Sequence, residues 1–110
     1  MAFLLTGELV RSSPEPPEIV PFTMEAALRV GQDATLLCSV YKGDTPLALS
    51  WTVDGAPVAG RPGVRVLPAG ARSTLLTIPV VGAEHSGEYT CTASNAAGTV
   101  EHSARLDVRG

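Results

Sequence analysis

The stretch Gly87-Glu88-Tyr89-Thr90-Cys91-Thr92-Ala93-Ser94-Asn95-Ala96-Ala97-Gly98 carries the clearest backbone signal in this chain. Tyr89, Cys91 and Ala93 fall on one side of it, Thr90 and Thr92 on the other. A period of two is the mark of a half-buried β-strand. Cys91 has one possible partner, because Cys38 is the only other cysteine. Cys38 stands in a second alternating stretch, Thr35-Leu36-Leu37-Cys38-Ser39-Val40. Neither cysteine has a close second Cys or His at the spacing of a zinc site. Bridged, the pair would add roughly 4 kcal/mol in the chain-entropy account and would suit an oxidising, extracellular setting. Left apart, they would be two buried thiols.

The same period recurs outward from that stretch. Ala34, Leu36, Cys38 and Val40 alternate with Thr35, Leu37 and Ser39, and Leu49, Trp51 and Val53 follow, stopped by the turn Asp54-Gly55. Val64 and Val66 make a further inward pair, Leu76 sits in the strand from Ser73 to Ile78, and Ala104, Leu106 and Val108 close the series. Turn residues separate these segments, 11 Gly and 9 Pro among 110 residues, and no stretch has helical periodicity. The expected fold is all-β, an antiparallel β-sandwich with Trp51, Tyr89 and Leu76 in its core. Residues 14–110 are expected to form one domain. Met1-Ala2-Phe3-Leu4-Leu5 is shorter than a secretory core and lacks a basic lead. Residues 1–13 are therefore expected to be an unstructured leader, tag or signal remnant. Pro14-Glu15-Pro16-Pro17 reads as an extended linker into the domain.

Composition narrows the function. A net charge of −3 gives no basic excess for nucleic acid, and no apolar run is long enough for a membrane helix. The chain is 45% apolar and only 17% charged, too apolar for disorder and more apolar than a small core needs.

The order Cys38, Trp51, Tyr89, Cys91, with Tyr89 two residues before the second cysteine, resembles that of immunoglobulin domains. The interval from Trp51 to Val64 is too short for the extra hairpin of variable domains, so the resemblance is to the I-set. It implies a Greek-key sandwich with strands A, B, E and D in one sheet and C, F and G in the other. It also implies a Tyr89 hydroxyl bonded to the turn before strand F. A narrower likeness rests on Pro16-Pro17-Glu18-Ile19-Val20-Pro21-Phe22, Gly43-Asp44-Thr45-Pro46, Ser50-Trp51, Glu84-His85-Ser86-Gly87-Glu88-Tyr89-Thr90-Cys91 and Val100-Glu101-His102-Ser103-Ala104. These are similar to the Dscam family of cell-recognition proteins, in particular the seventh Ig domain of insect Dscam and the first of the shortened chelicerate Dscams. Most I-set domains carry Asp where His85 stands, and Dscam-type domains often carry His. That exchange removes the usual Asp–Arg ion pair and leaves Arg65 without an assigned role. The resemblance implies an extracellular ectodomain of a single-pass cell-surface protein, reaching the membrane only through its parent receptor.

Catalytic chemistry has little to stand on. His85 and His102 each follow a Glu and precede a Ser, but adjacent strand residues point to opposite faces, so neither run forms a triad. A zinc site shared by the two segments is less favoured than a solvated corner for His85 and a plain strand position for His102. Asn95 is the only Asn and begins no glycosylation sequon. The expectation is a non-enzyme with no catalytic residue, cofactor, metal or small-molecule substrate. Lys42-Gly43-Asp44 resembles an integrin-binding tripeptide with Lys for Arg, against which stands ordinary turn chemistry.

Strand parity distinguishes the two faces. On C, F and G the outward residues are Ser50, Thr52, Thr90, Thr92, Glu101, Ser103 and Arg105, all polar. On B, E and D they include Leu37, Leu75 and Leu67 among Thr35, Ser39, Thr77, Arg65 and Ser73. Clustered outward leucines rimmed by polar residues mark an interaction surface. Leu37, Leu67, Leu75, Arg65, Thr35 and Thr77 are thus the expected interface of a homophilic, isoform-specific recognition module. Its partner would be an identical copy, and the Dscam resemblance implies an antiparallel two-fold pairing through the A-B-E-D sheet. A structural Ig spacer and a heterophilic receptor domain binding through its loops are the alternatives.

Overall fold

Alternation of apolar and polar residues builds a sandwich, seen in a computed structural model that describes residues 14–23 and 27–110. The expected leader, residues 1–13, lies outside the described residues. The strands are β1 (Glu18–Ile19), β2 (Leu28–Arg29), β3 (Ala34–Lys42), β4 (Ala48–Val53), β5 (Ala56–Pro57), β6 (Arg65–Pro68), β7 (Ser73–Ile78), β8 (Gly87–Asn95), β9 (Gly98–Leu106) and β10 (Val108–Arg109), with a 3-10 turn at Ala83–His85. One sheet has the order β1-β3-β7-β6 and the other β9-β8-β4-β5. Neighbours within both sheets are antiparallel. In the lettering above, the first is the A-B-E-D sheet and the second contains G, F and C.

Cys38 on β3 and Cys91 on β8 form a disulfide that ties one sheet to the other. Leu76, Tyr89, Val53, Ile78 and Leu106 are fully buried around it, with Trp51 nearly so. The Tyr89 hydroxyl donates to the His85 carbonyl at 2.7 Å, anchoring the start of β8 to the preceding turn.

Four details add to or depart from the sequence reading, each for a local reason. The turn expected at Asp54-Gly55 closes a small hairpin with one two-residue strand, not the extra hairpin of variable domains. Asp54 and Gly55 both take positive φ, 49° and 83°, the mirror-image turn that matches strand twist, and Ala56–Pro57 then pairs with Val53 and Thr52. Secondly, the first strand is divided. Val20 still donates to the Ser39 carbonyl at 2.9 Å, but Pro21 has no N–H to continue the ladder. Leu28–Arg29 instead pairs in parallel with Val108–Arg109, in a separate two-stranded sheet. The Phe22 ring lies 4.4 Å from that of His102 and 5.6 Å from that of Trp51.

Thirdly, His85 is no solvated corner: it is 3% exposed. Its Nδ1 accepts the Gly82 N–H at 2.8 Å and its Nε2 donates to the Pro62 carbonyl at 3.0 Å. The imidazole therefore joins two backbone segments where other I-set domains would pair charges. Arg61, not Arg65, reaches this corner, donating to the Glu84 carbonyl at 3.4 Å. Lastly, Val66 has inward register opposite Leu76 yet is 43% exposed, because β6 is the edge of its sheet.

Candidate recognition face

The outward leucines fall into a single line across three strands. Leu37 on β3 is directly opposite Leu75 on β7, and Leu75 is directly opposite Leu67 on β6. Leu37 and Leu67 are each 50% exposed. Leu75 is half-buried rather than open to water, as are Ser73 and Thr77, because β7 lies between two neighbouring strands. Cross-strand neighbours of this kind have Cβ atoms about 5 Å apart, close enough to make one continuous apolar ridge.

Hydroxyls border the ridge on both sides. Thr35, Thr77 and Arg65 form the next row in one direction. Ser39 and Ser73 form it in the other, their Oγ atoms 2.9 Å apart. Arg65 is exposed. On the Ser39 side the face continues to Tyr41, which is 60% exposed, and to the exposed Val20. Neither was among the residues expected there. The signal was present for Tyr41: it shares the parity of Leu37 and Ser39, and β3 runs two residues beyond Val40. The Tyr41 hydroxyl donates to Glu18 Oε1 at 2.6 Å, and Lys42 Nζ sits 3.8 Å from carboxylate oxygens of both Glu15 and Glu18.

The opposite face carries hydroxyl rows instead. Thr52, Thr90 and Ser103 stand in one line, with Thr90 Oγ1 2.6 Å from Ser103 Oγ, and Ser50, Thr92 and Glu101 in the next.

Lys42-Gly43-Asp44 is not presented as a loop tip. Lys42 is engaged as above, Gly43 is buried, and Asp44 Oδ2 accepts the Glu15 N–H at 3.1 Å. No group of three or more metal-ligating side chains occurs among the described residues.

The sequence pattern of the immunoglobulin domain family matches residues 16–95. The chain belongs to the immunoglobulin domain family. Its relatives lie on the Dscam side. This Ig domain is 42% identical over 94 residues to cell adhesion molecule Dscam2 of Drosophila melanogaster, covering 86% of the chain and 4% of that protein. It spans only a few per cent of the length of such relatives. Superposed on the crystal structure of the Dscam1 Ig7 domain, isoform 9, it gives a TM-score of 0.81 at 42% identity, covering 86% of this chain and 100% of that one. An I-band fragment of titin gives 0.77 at 28% identity, covering 86% of this chain and 32% of that one.

The tyrosines permit a direct check of these environments. The hydrogen bond to the Glu18 carboxylate holds the Tyr41 phenol above its ordinary value, with smaller contributions from burial and the Glu18 charge. Burial raises Tyr89; the Arg61 charge opposes this and that of Asp54 adds to it. The unfolded chain ionises its phenols at about pH 10. Above that pH it binds fewer protons than the native state, so native stability falls as pH rises toward the folded values. Absorbance at 295 nm should therefore show native ionisation shifted alkaline of the curve in denaturant, and Tyr41→Phe should delete one phase. Superposed curves would refute both assignments.

Proposed function

We propose that this Ig domain is an extracellular cell-adhesion module that binds a second copy of itself through the β1-β3-β7-β6 face. It would work as part of the ectodomain of a single-pass cell-surface protein. The observation that carries the reading is the leucine ridge, present on one face and absent from the other. An isologous two-fold contact, antiparallel in the manner of the Dscam resemblance, lets each ridge meet its own image. Relatives named cell adhesion molecules support the same class of function.

Magnitudes limit how tight this contact would be. Covering a half-exposed leucine is worth roughly 1 kcal/mol, and the more buried Leu75 less, so the six leucines of two copies supply about 5. Association itself costs roughly 4–15 kcal/mol. The flanking residues must therefore contribute, and a dissociation constant near micromolar is the strong end of the range. Adhesion would depend on many copies acting together. Arg65, Thr35 and Thr77 would set isoform specificity chiefly by clashes and unpaired charge in mismatched pairs.

Sedimentation of the chain across a concentration series tests this. Wild type should pass from monomer to dimer as concentration rises through tens to hundreds of micromolar. Leu75→Asp, which sets two carboxylates against each other across the axis, should remain monomeric throughout. A monomeric wild type, or a mutant that dimerises equally, would overturn the proposal.

The likeness to titin favours a second reading, a structural spacer, which predicts a monomer at every concentration. Binding of a different partner through Lys42-Gly43-Asp44 is less favoured, since those residues are occupied within the domain.

A further inference from the structure

At the end of the domain where the chain enters, a set of contacts holds the backbone that leads into β1. Asp44 and Glu15 exchange two hydrogen bonds of 3.1 Å: the Asp44 N–H donates to the Glu15 carbonyl, and the Glu15 N–H donates to Asp44 Oδ2. Asn95 Nδ2 donates to the Glu15 carbonyl at 2.7 Å and to the Asp44 carbonyl at 3.0 Å. Its Oδ1 accepts from the Ala97 and Gly98 N–H groups at 2.8 and 3.1 Å. One amide thus joins the incoming segment, the β3–β4 loop and the β8–β9 turn.

Two further features remove slack. Pro17 is buried against Gly43, where φ is +117° and a Cβ would stand 2.6 Å from Pro17 Cα. Gly43 itself is held by Arg72 Nη2, which donates to its carbonyl at 2.8 Å. On either side of Glu15, Pro14 and Pro16 have φ confined near −65°.

We infer that Asn95, Asp44 and Gly43 form a latch that fixes the direction of the incoming segment at Glu15. The backbone at Pro14 would then leave the sandwich along one set direction relative to the leucine face instead of swivelling there. A proline-rich segment alone is only a semi-rigid spacer; the latch joins it to the body of the sandwich. The latch holds whether or not the leucine face self-associates.

Amide NMR on the full chain tests it. The prolines leave Glu15 and Asp44 as the natural reporters. The Glu15 N–H should have an order parameter near the ~0.85 of rigid backbone, not below ~0.6 as in a flexible segment. Its hydrogen exchange should be slowed roughly ten- to hundred-fold relative to an unstructured chain. Asn95→Asp keeps the acceptor that the β8–β9 turn uses but removes both donors. It should release the Glu15 and Asp44 amides while those of Leu36 and Leu76 stay protected. A flexible Glu15 in wild type overturns the inference, as does unchanged protection in Asn95→Asp. The wild-type order parameter decides the matter alone if that variant does not fold.

Discussion

Replacing Cys38 and Cys91 together by alanine is expected to remove about 4 kcal/mol of stability. The two are 53 residues apart, so the bond closes a long loop and withholds much entropy from the unfolded chain. Both side chains are fully buried, and deleting their sulfur atoms adds a loss of packing in the same direction. For a domain of this size, whose whole net stability is roughly 5–15 kcal/mol, the melting temperature should fall by about 15–30 °C. Thermal unfolding of the oxidised wild type beside the double mutant measures it. A fall under about 5 °C would show that the link between the sheets does little for the native state.

The second large effect separates two neighbouring leucines. Leu76→Ala should cost about 2–5 kcal/mol, because Leu76 is fully buried at the centre of the core. Leu75→Ala should cost less, about 1–2 kcal/mol in the monomer, since that side chain is only partly buried. Self-association should respond in the reverse sense: Leu75→Ala weakens dimerisation, while Leu76→Ala leaves it unchanged under conditions where the variant is still folded. Urea unfolding and sedimentation on the same two proteins provide the comparison. If both mutations destabilise the monomer equally, the inward and outward assignment of β7 fails.

That assignment was readable from residue order because a strand's period is two and the buried anchors leave no freedom. With Cys38, Trp51 and Cys91 inward, Leu37 on β3 can only face out, and its pairing with Leu75 follows from the antiparallel register. Tyr41 continues the same alternation one step beyond Val40. Other features have no periodic signature. Whether His85 is solvated or buried depends on a carbonyl at Pro62, 23 positions away, and a lone histidine gives no hint of it. Asn95 reaches Glu15 across 80 positions. A polar side chain bonding to a distant backbone group follows geometry, not composition. Proline at position 21 was visible, but the parallel pairing of Leu28 that follows it depends on Val108, 80 positions away.

The leucine line is three residues long and one residue wide, crossing the strands instead of following them. Outward positions along a strand are about 7 Å apart. Sliding one copy along the other by that distance would therefore set leucine on threonine or serine and lose the apolar match altogether. A broad greasy patch would accept many offsets with small penalties. This narrow one has a single alignment, so in the proposed pairing whatever discriminates between partners at its borders would always be read in the same frame.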